Sequence, residues 1–200
     1  MTHRDKITLE GYTFSETPFD ISERNLPSPF LLYNKRTVRE LLQKKQYKSL
    51  EERIIKSKNY SRYLDLRIDE FLQTLIDNGD EFYRDFLNEN GCGKFCRFTL
   101  TEPRIQDKLG LYLYTHKGAI VYIGKCTSNF AKRFRAGYGT IAPKNCYKDG
   151  QATNTRINSL MNKHGGDVRI YLCILSDTET INKAEKMLIQ NLNPKWNRQK

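Results

Sequence analysis

Apolar and polar positions follow two different periods, and the change comes near residue 90. The first 34 residues keep no period. Pro18, Pro27 and Pro29 interrupt them, and Phe30-Leu31-Leu32-Tyr33 reads as a short docking patch at the end of an irregular arm. From Thr37 the spacing turns helical, with Val38, Leu41 and Leu42 on one side. Ser49 to Glu52 has capping-box spacing ahead of Ile54 and Ile55. The strongest stripe, Leu64, Ile68, Phe71, Leu72, Leu75 and Ile76, predicts a helix over 61–77, stopped by Asn78-Gly79. Asp80 can cap a further turn through Phe86.

Beyond residue 90 the period shortens to two. A strand is predicted over Phe95 to Leu100, and a hairpin from Leu109–Thr115 and Ala119–Ile123 around His116-Lys117-Gly118. Thr127 or Ser128 would cap a helix reaching Arg135. Residues 137–152, rich in Gly, Asn and Lys, read as a flexible basic loop. A helix over 153–164, a strand over 168–175 and a helix from Asp177 or Thr178 to just before Pro194 complete the pattern. The fold class expected is α+β. A small three-stranded mixed or antiparallel sheet flanked by helices would fill residues 109–200. A mostly helical region, residues 1–108, would precede it.

Two features do not fit a plain core. Tyr112, Tyr114 and Tyr122 crowd polar-tipped rings onto the hairpin beside the basic segment Lys132, Arg133, Arg135. In the last helix Ile181, Leu188, Ile189 and Leu192 mark the inward stripe, and Glu185 falls inside it. A buried carboxylate needs a partner, since leaving it alone costs several kcal/mol, roughly. A salt bridge to an arginine and a divalent cation answer that need equally well.

Charge sharpens the picture. Of the net +11, residues 110–200 supply +10, from 15 Lys and Arg against 5 Asp and Glu. A field of that sign favours nucleic acid ahead of an anionic membrane. Lys132, Arg135, Lys144, Lys148 and Arg156 are the candidate DNA contacts, and Lys44-Lys45 and Lys56-Ser57-Lys58 are weaker ones. With 38% hydrophobic and 28% charged residues the chain reads as globular. No apolar run nears the ~20 residues of a membrane span, and the start lacks a signal-peptide core, so the expected location is the cytoplasm with no membrane partner. Five cysteines, an odd number without a secretion signal, read as reduced thiols. Cys92 and Cys96 make only half a zinc site.

The ordered set Gly110-Leu111-Tyr112, Tyr122-Ile123-Gly124, Arg133, Glu185 and Asn197 closely resembles the GIY-YIG nuclease superfamily over residues 109–198, in its restriction and phage branch. Any one piece is weak; five in order, on fitting strands and helices, are specific. The resemblance implies that Tyr112 orients the attacking water or acts as general base, its phenolate stabilised by Lys125 and Arg133. It implies that Tyr122 lines the same pocket and Arg133 neutralises the scissile phosphate. It further implies that Glu185 binds Mg²⁺ or Mn²⁺, one ion per active site, and that Asn197 braces the site. Leu111 stands where the family name has isoleucine. The family's Tyr or His four residues after the arginine is here Gly137, with Tyr138 one position later.

The expected function is metal-dependent endonucleolytic cleavage of double-stranded DNA, site-specific and type II restriction-like, with residues 1–108 supplying recognition or support. Cutting both strands would call for a homodimer or sequential nicking. A phage- or repair-type nickase, and a non-catalytic basic binding module, are the alternatives. A module that only binds would not need Glu185 inside an apolar stripe.

Overall fold

The structure, a computed structural model, describes residues 5–198. In chain order the strands are β1 (Lys6–Leu9), β2 (Tyr12–Thr17), β3 (Phe19–Leu26), β4 (Phe95–Leu100), β5 (Leu109–His116), β6 (Ala119–Cys126) and β7 (Val168–Leu175). The α-helices are α1 (Val38–Leu42), α2 (Lys48–Lys56), α3 (Lys58–Ser61), α4 (Ile68–Asp77), α5 (Ala152–His164) and α6 (Thr178–Leu192). Together they form two compact units. One comprises the described parts of Met1–Arg24, Cys96–Thr140 and Leu160–Lys200; the other comprises Asn25–Phe95 and Ile141–Ser159. That division differs from the boundary expected at 108/109, because strands from the start of the chain join the sheet of the C-terminal half.

The first unit is built on an antiparallel sheet of five strands, not three, in the order β1-β2-β7-β5-β6. The expected irregular arm over residues 1–34 is therefore corrected (its first four residues lie outside the described ones). Glu10 and Gly11 both take positive φ, 48° and 82°, so they turn β1 back onto β2 as a tight hairpin. Lys117 and Gly118, at 51° and 80°, do the same between β5 and β6. β3 and β4 pair separately as a two-stranded ribbon.

Strand alternation gives the five-stranded sheet two dissimilar faces. Phe14, Leu111, Leu113, Ile123 and Tyr171 on one face pack under Ile181, Ala184 and Leu188 of α6. Each such large buried side chain contributes about 1.5–3 kcal/mol. Tyr112, Tyr114 and Tyr122 occupy the other face with Phe134 and Tyr138. Asp177 caps α6 by accepting from Glu179 N and Thr180 N, and Asn193 ends it in the left-handed region.

In the second unit, Thr37 and Glu40 form the capping box of α1, whereas α2 begins at Lys48 without a side-chain cap, so the box expected at Ser49 is not there. α4 starts at Ile68, seven residues later than predicted, leaving Leu64 in the preceding turns. Val38, Leu41, Tyr47, Ile54, Phe71 and Phe86 are completely buried in its core, together with Cys146 and Tyr147. Residues 141–150 are therefore a packed part of this core and not a free loop. Asp149 ties them down, accepting from Tyr47 Oη at 2.6 Å and pairing with Lys44 and Lys144.

No helix among the described residues is long and apolar enough to cross a membrane.

Candidate active site

The site grows from the β5–β6 hairpin. Its register sets Tyr112 opposite Gly124 and Tyr114 opposite Tyr122. Glycine is required at 124 because a Cβ there would lie 2.5 Å from both Cζ and the hydroxyl of Tyr112. The bare backbone lets that ring lie across β6.

The segment after β6 carries the other half. Asn129 caps it, its Oδ1 accepting from Lys132 N at 2.7 Å, so the caps expected at Thr127 or Ser128 are replaced by the next residue. After one α-turn the backbone widens into a π-helical turn over Lys132–Gly137, closed by Tyr138 N donating to Arg133 O at 2.9 Å. A π-turn accommodates one extra residue in an α-helix. It therefore carries Tyr138, five residues after Arg133, to where a fourth residue would otherwise stand.

The result is a cluster of three phenols. Tyr138 Oη lies 2.9 Å from Tyr112 Oη and 3.0 Å from Tyr122 Oη. All three are nearly sealed, with Tyr112 1%, Tyr138 2% and Tyr122 6% exposed. The Arg133 guanidinium sits 5.5 Å from the centroid of the Tyr138 ring, and Phe134 packs edge-on to Tyr112 at 5.1 Å. Burial pushes the Tyr112 phenol well above its ordinary pKa. The Tyr138 and Tyr122 phenols push the same way, and Arg133 opposes them. Burial thus works against the phenolate expected from Lys125 and Arg133, and of those two only Arg133 favours it here. Tyr114 has the same direction of shift and cause, and its buried hydroxyl has no hydrogen-bond partner among the described residues.

Lys125 does not join this cluster. It stands three residues beyond Tyr122, on the opposite face of β6, and its Nζ pairs with Glu185 Oε2 at 2.7 Å. Glu185 has a salt-bridge partner, as one reading required, but that partner is a lysine and not an arginine. Nor is the carboxylate sealed in the core: its side chain is 19% exposed and that of Lys125 38%. Both line an open cleft of about 760 Å³ along α6. Among the described residues no group of three or more His, Cys, Asp or Glu is placed to hold a metal ion, and all five cysteines are free thiols.

Asn197 lies against the outer edge of β6 like a short extra strand. Its Oδ1 accepts from Ile123 N at 2.9 Å and its Nδ2 donates to Ile123 O at 2.8 Å, while Trp196 N donates to Val121 O at 2.7 Å. Of the candidate DNA contacts, Lys132 and Arg135 are exposed on the π-turn segment. Lys144, Lys148 and Arg156 belong to the other unit, where the Lys144 ammonium is taken up by Asp149 and lies 5.0 Å from the Tyr33 ring centroid. Sequence reasoning missed Phe134, the wall behind Tyr112. Its only signal was an aromatic inside a basic segment.

No family model matches the chain, and no curated protein matches it. Two solved structures are similar to it, both of the GIY-YIG N-terminal endonuclease domain of UvrC from Thermotoga maritima. Each is a tyrosine-to-phenylalanine point mutant bound to its catalytic divalent cation. They are 19% and 17% identical to this chain, cover 50% of it and 100% of their own length, and superpose with TM-scores of 0.34 and 0.32. Scores of that size establish no common fold, so the reading of the site rests on its own residues.

Proposed function

We propose that the chain is a divalent-metal-dependent endonuclease of the GIY-YIG kind that hydrolyses phosphodiester bonds in double-stranded DNA, site-specifically and in the manner of a type II restriction enzyme. The observation that carries this reading is the meeting of both motif tyrosines on the Tyr138 hydroxyl beside Arg133. A core that needed only bulk would use phenylalanine here and leave no phenol to satisfy.

In this reading Tyr112 works as a neutral phenol. It orients the attacking water, its hydroxyl held in place by the hydrogen bond to Tyr138, which Tyr122 shares. Arg133 offers a fixed fork of donors to the phosphate oxygens as charge builds on them. Mg²⁺ or Mn²⁺, one ion per site, fits Glu185. Such hard cations take oxygen ligands, and Mg²⁺ keeps most of its waters while using one or two carboxylates and the substrate phosphate. A single carboxylate in an open cleft is that kind of donor set. When bound, the ion supplies charge stabilisation to the leaving oxygen. Lys125 neutralises Glu185 otherwise. The phenols and Glu185 flank β6 from opposite faces. A scissile phosphate seated over the edge of that strand would meet both groups. Asn197 holds the edge in place.

Cutting both strands then takes two such sites, in a homodimer or by sequential nicking. Sequencing the ends left on a plasmid treated with the full chain and Mg²⁺ tests the reading. The expected result is cleavage within one short recurring sequence and none in EDTA. Ends scattered without preference would remove the restriction role, and intact DNA at every metal concentration would remove the nuclease.

A further inference from the structure

The exposed polar side chains of α6 divide into two groups. On one flank they are occupied: Lys183 pairs with Glu179 at 2.6 Å, and Asn191 Nδ2 donates to Glu10 Oε1 at 3.2 Å. On the flank that lines the cleft with Glu185, the exposed residues are Asn182, Lys186 and Gln190, at i, i+4 and i+8. None of these three makes a side-chain hydrogen bond or ion pair among the described residues.

Their chemistry and spacing fit the edges of base pairs. An amide can bond adenine N6 and N7 together, and a lysine bonds guanine O6 and N7. At 1.5 Å per residue the row is about 12 Å long. That covers three to four base pairs at about 3.4 Å each. The major groove is wide enough to admit an α-helix such as α6. Glu185 lies on the same flank, between Asn182 and Lys186, so bases read here would be those beside the cut.

We propose that α6 is a recognition helix, on which Asn182, Lys186 and Gln190 read three to four base pairs of duplex DNA next to the scissile phosphate. This rests on the nuclease reading above and assigns sequence choice to the helix that also carries the metal-binding carboxylate. The residues 1–108 region, expected to supply recognition, would then play no part at these positions.

The test uses the full chain and a library of randomised duplexes, selected for binding in EDTA and, separately, for cleavage with Mg²⁺. The variants Asn182→Ala, Lys186→Ala and Gln190→Ala are all at exposed positions, and circular dichroism checks that each folds. The wild type is expected to select a motif. Each single variant should lose about ten- to hundredfold preference at one position of it and keep the rest. A motif unchanged in all three variants, or no motif at all, overturns the proposal. So does uniform weakening on every sequence with a salt slope lower by about one, the mark of a phosphate contact. A wild type that selects and binds a motif without cutting would sink the nuclease reading alone. One that cuts within a motif the variants leave intact would sink the recognition helix alone.

Discussion

At Tyr138 one oxygen receives two short contacts, 2.9 Å from Tyr112 and 3.0 Å from Tyr122, inside a nearly dry pocket. Removing that oxygen breaks the hydrogen-bonded link between the two motif phenols without opening a cavity. Tyr138→Phe should therefore slow DNA cleavage at least tenfold, about 1.4 kcal/mol in the barrier, while the melting temperature stays within a few degrees. Single-turnover rates beside thermal unfolding would measure both. Tyr114 makes a useful contrast. Its hydroxyl is equally buried but has no partner among the described residues, and a buried orphan costs about 1–3 kcal/mol. Tyr114→Phe should raise stability by about 1 kcal/mol and leave cleavage unchanged; a loss of stability would mean the hydroxyl has a partner in solution, such as an ordered water.

The π-turn over Lys132–Gly137 is the element on which the site depends. It brings Tyr138 into the pocket although Tyr138 stands five residues after Arg133. Deleting Gly137 should convert the π-turn to an α-turn, with Tyr138 one turn above Arg133 and its hydroxyl still between the other two. Cleavage by the deletion variant within about threefold of the wild type would agree with this; complete loss in a protein that still folds would contradict it. Much of this was legible from residues alone. The β5–β6 hairpin, β7, α6 and the pairing need of Glu185 all follow from period and turn chemistry. The π-turn was not, because its widening is a backbone response to one inserted residue that no side-chain pattern announces. The β1–β2 hairpin was missed for a related reason. Glu10-Gly11 is a weaker turn signal than Asn-Gly or Asp-Gly, and the pairing of β2 with β7 spans more than 150 residues. The separation of Lys125 from the phenols, by contrast, was there to be read, since an odd spacing from Tyr122 puts it on the other face.

At the scale of the whole molecule, the two units are held by different means: an apolar layer between sheet and α6 in one, an aromatic core with a partly buried ion cluster in the other. Asp149 anchors that cluster with its side chain only 5% exposed. Burial alone would raise its pKa, but hydrogen bonds from Lys144, Lys44 and Tyr47 outweigh this and hold it down to about 2. A depressed carboxylate stabilises the fold above its unfolded pKa near 4, and that stability drains away as the pH falls toward 2. Asp149→Asn should then cost on the order of 2 kcal/mol at neutral pH, with the gap to wild type closing between about pH 4 and pH 2 in urea titrations. The cleavage chemistry proposed above belongs to the other unit, where the phenol cluster and Glu185 lie on opposite faces of β6. The most direct measurement is conversion of supercoiled plasmid by the full chain with Mg²⁺, beside EDTA and Glu185→Ala. Cutting that disappears in both controls, while Glu185→Ala still folds and binds the plasmid, is the predicted result. Undiminished cutting by Glu185→Ala, or DNA left intact by a wild type that binds it no differently from the variant, would contradict the assignment.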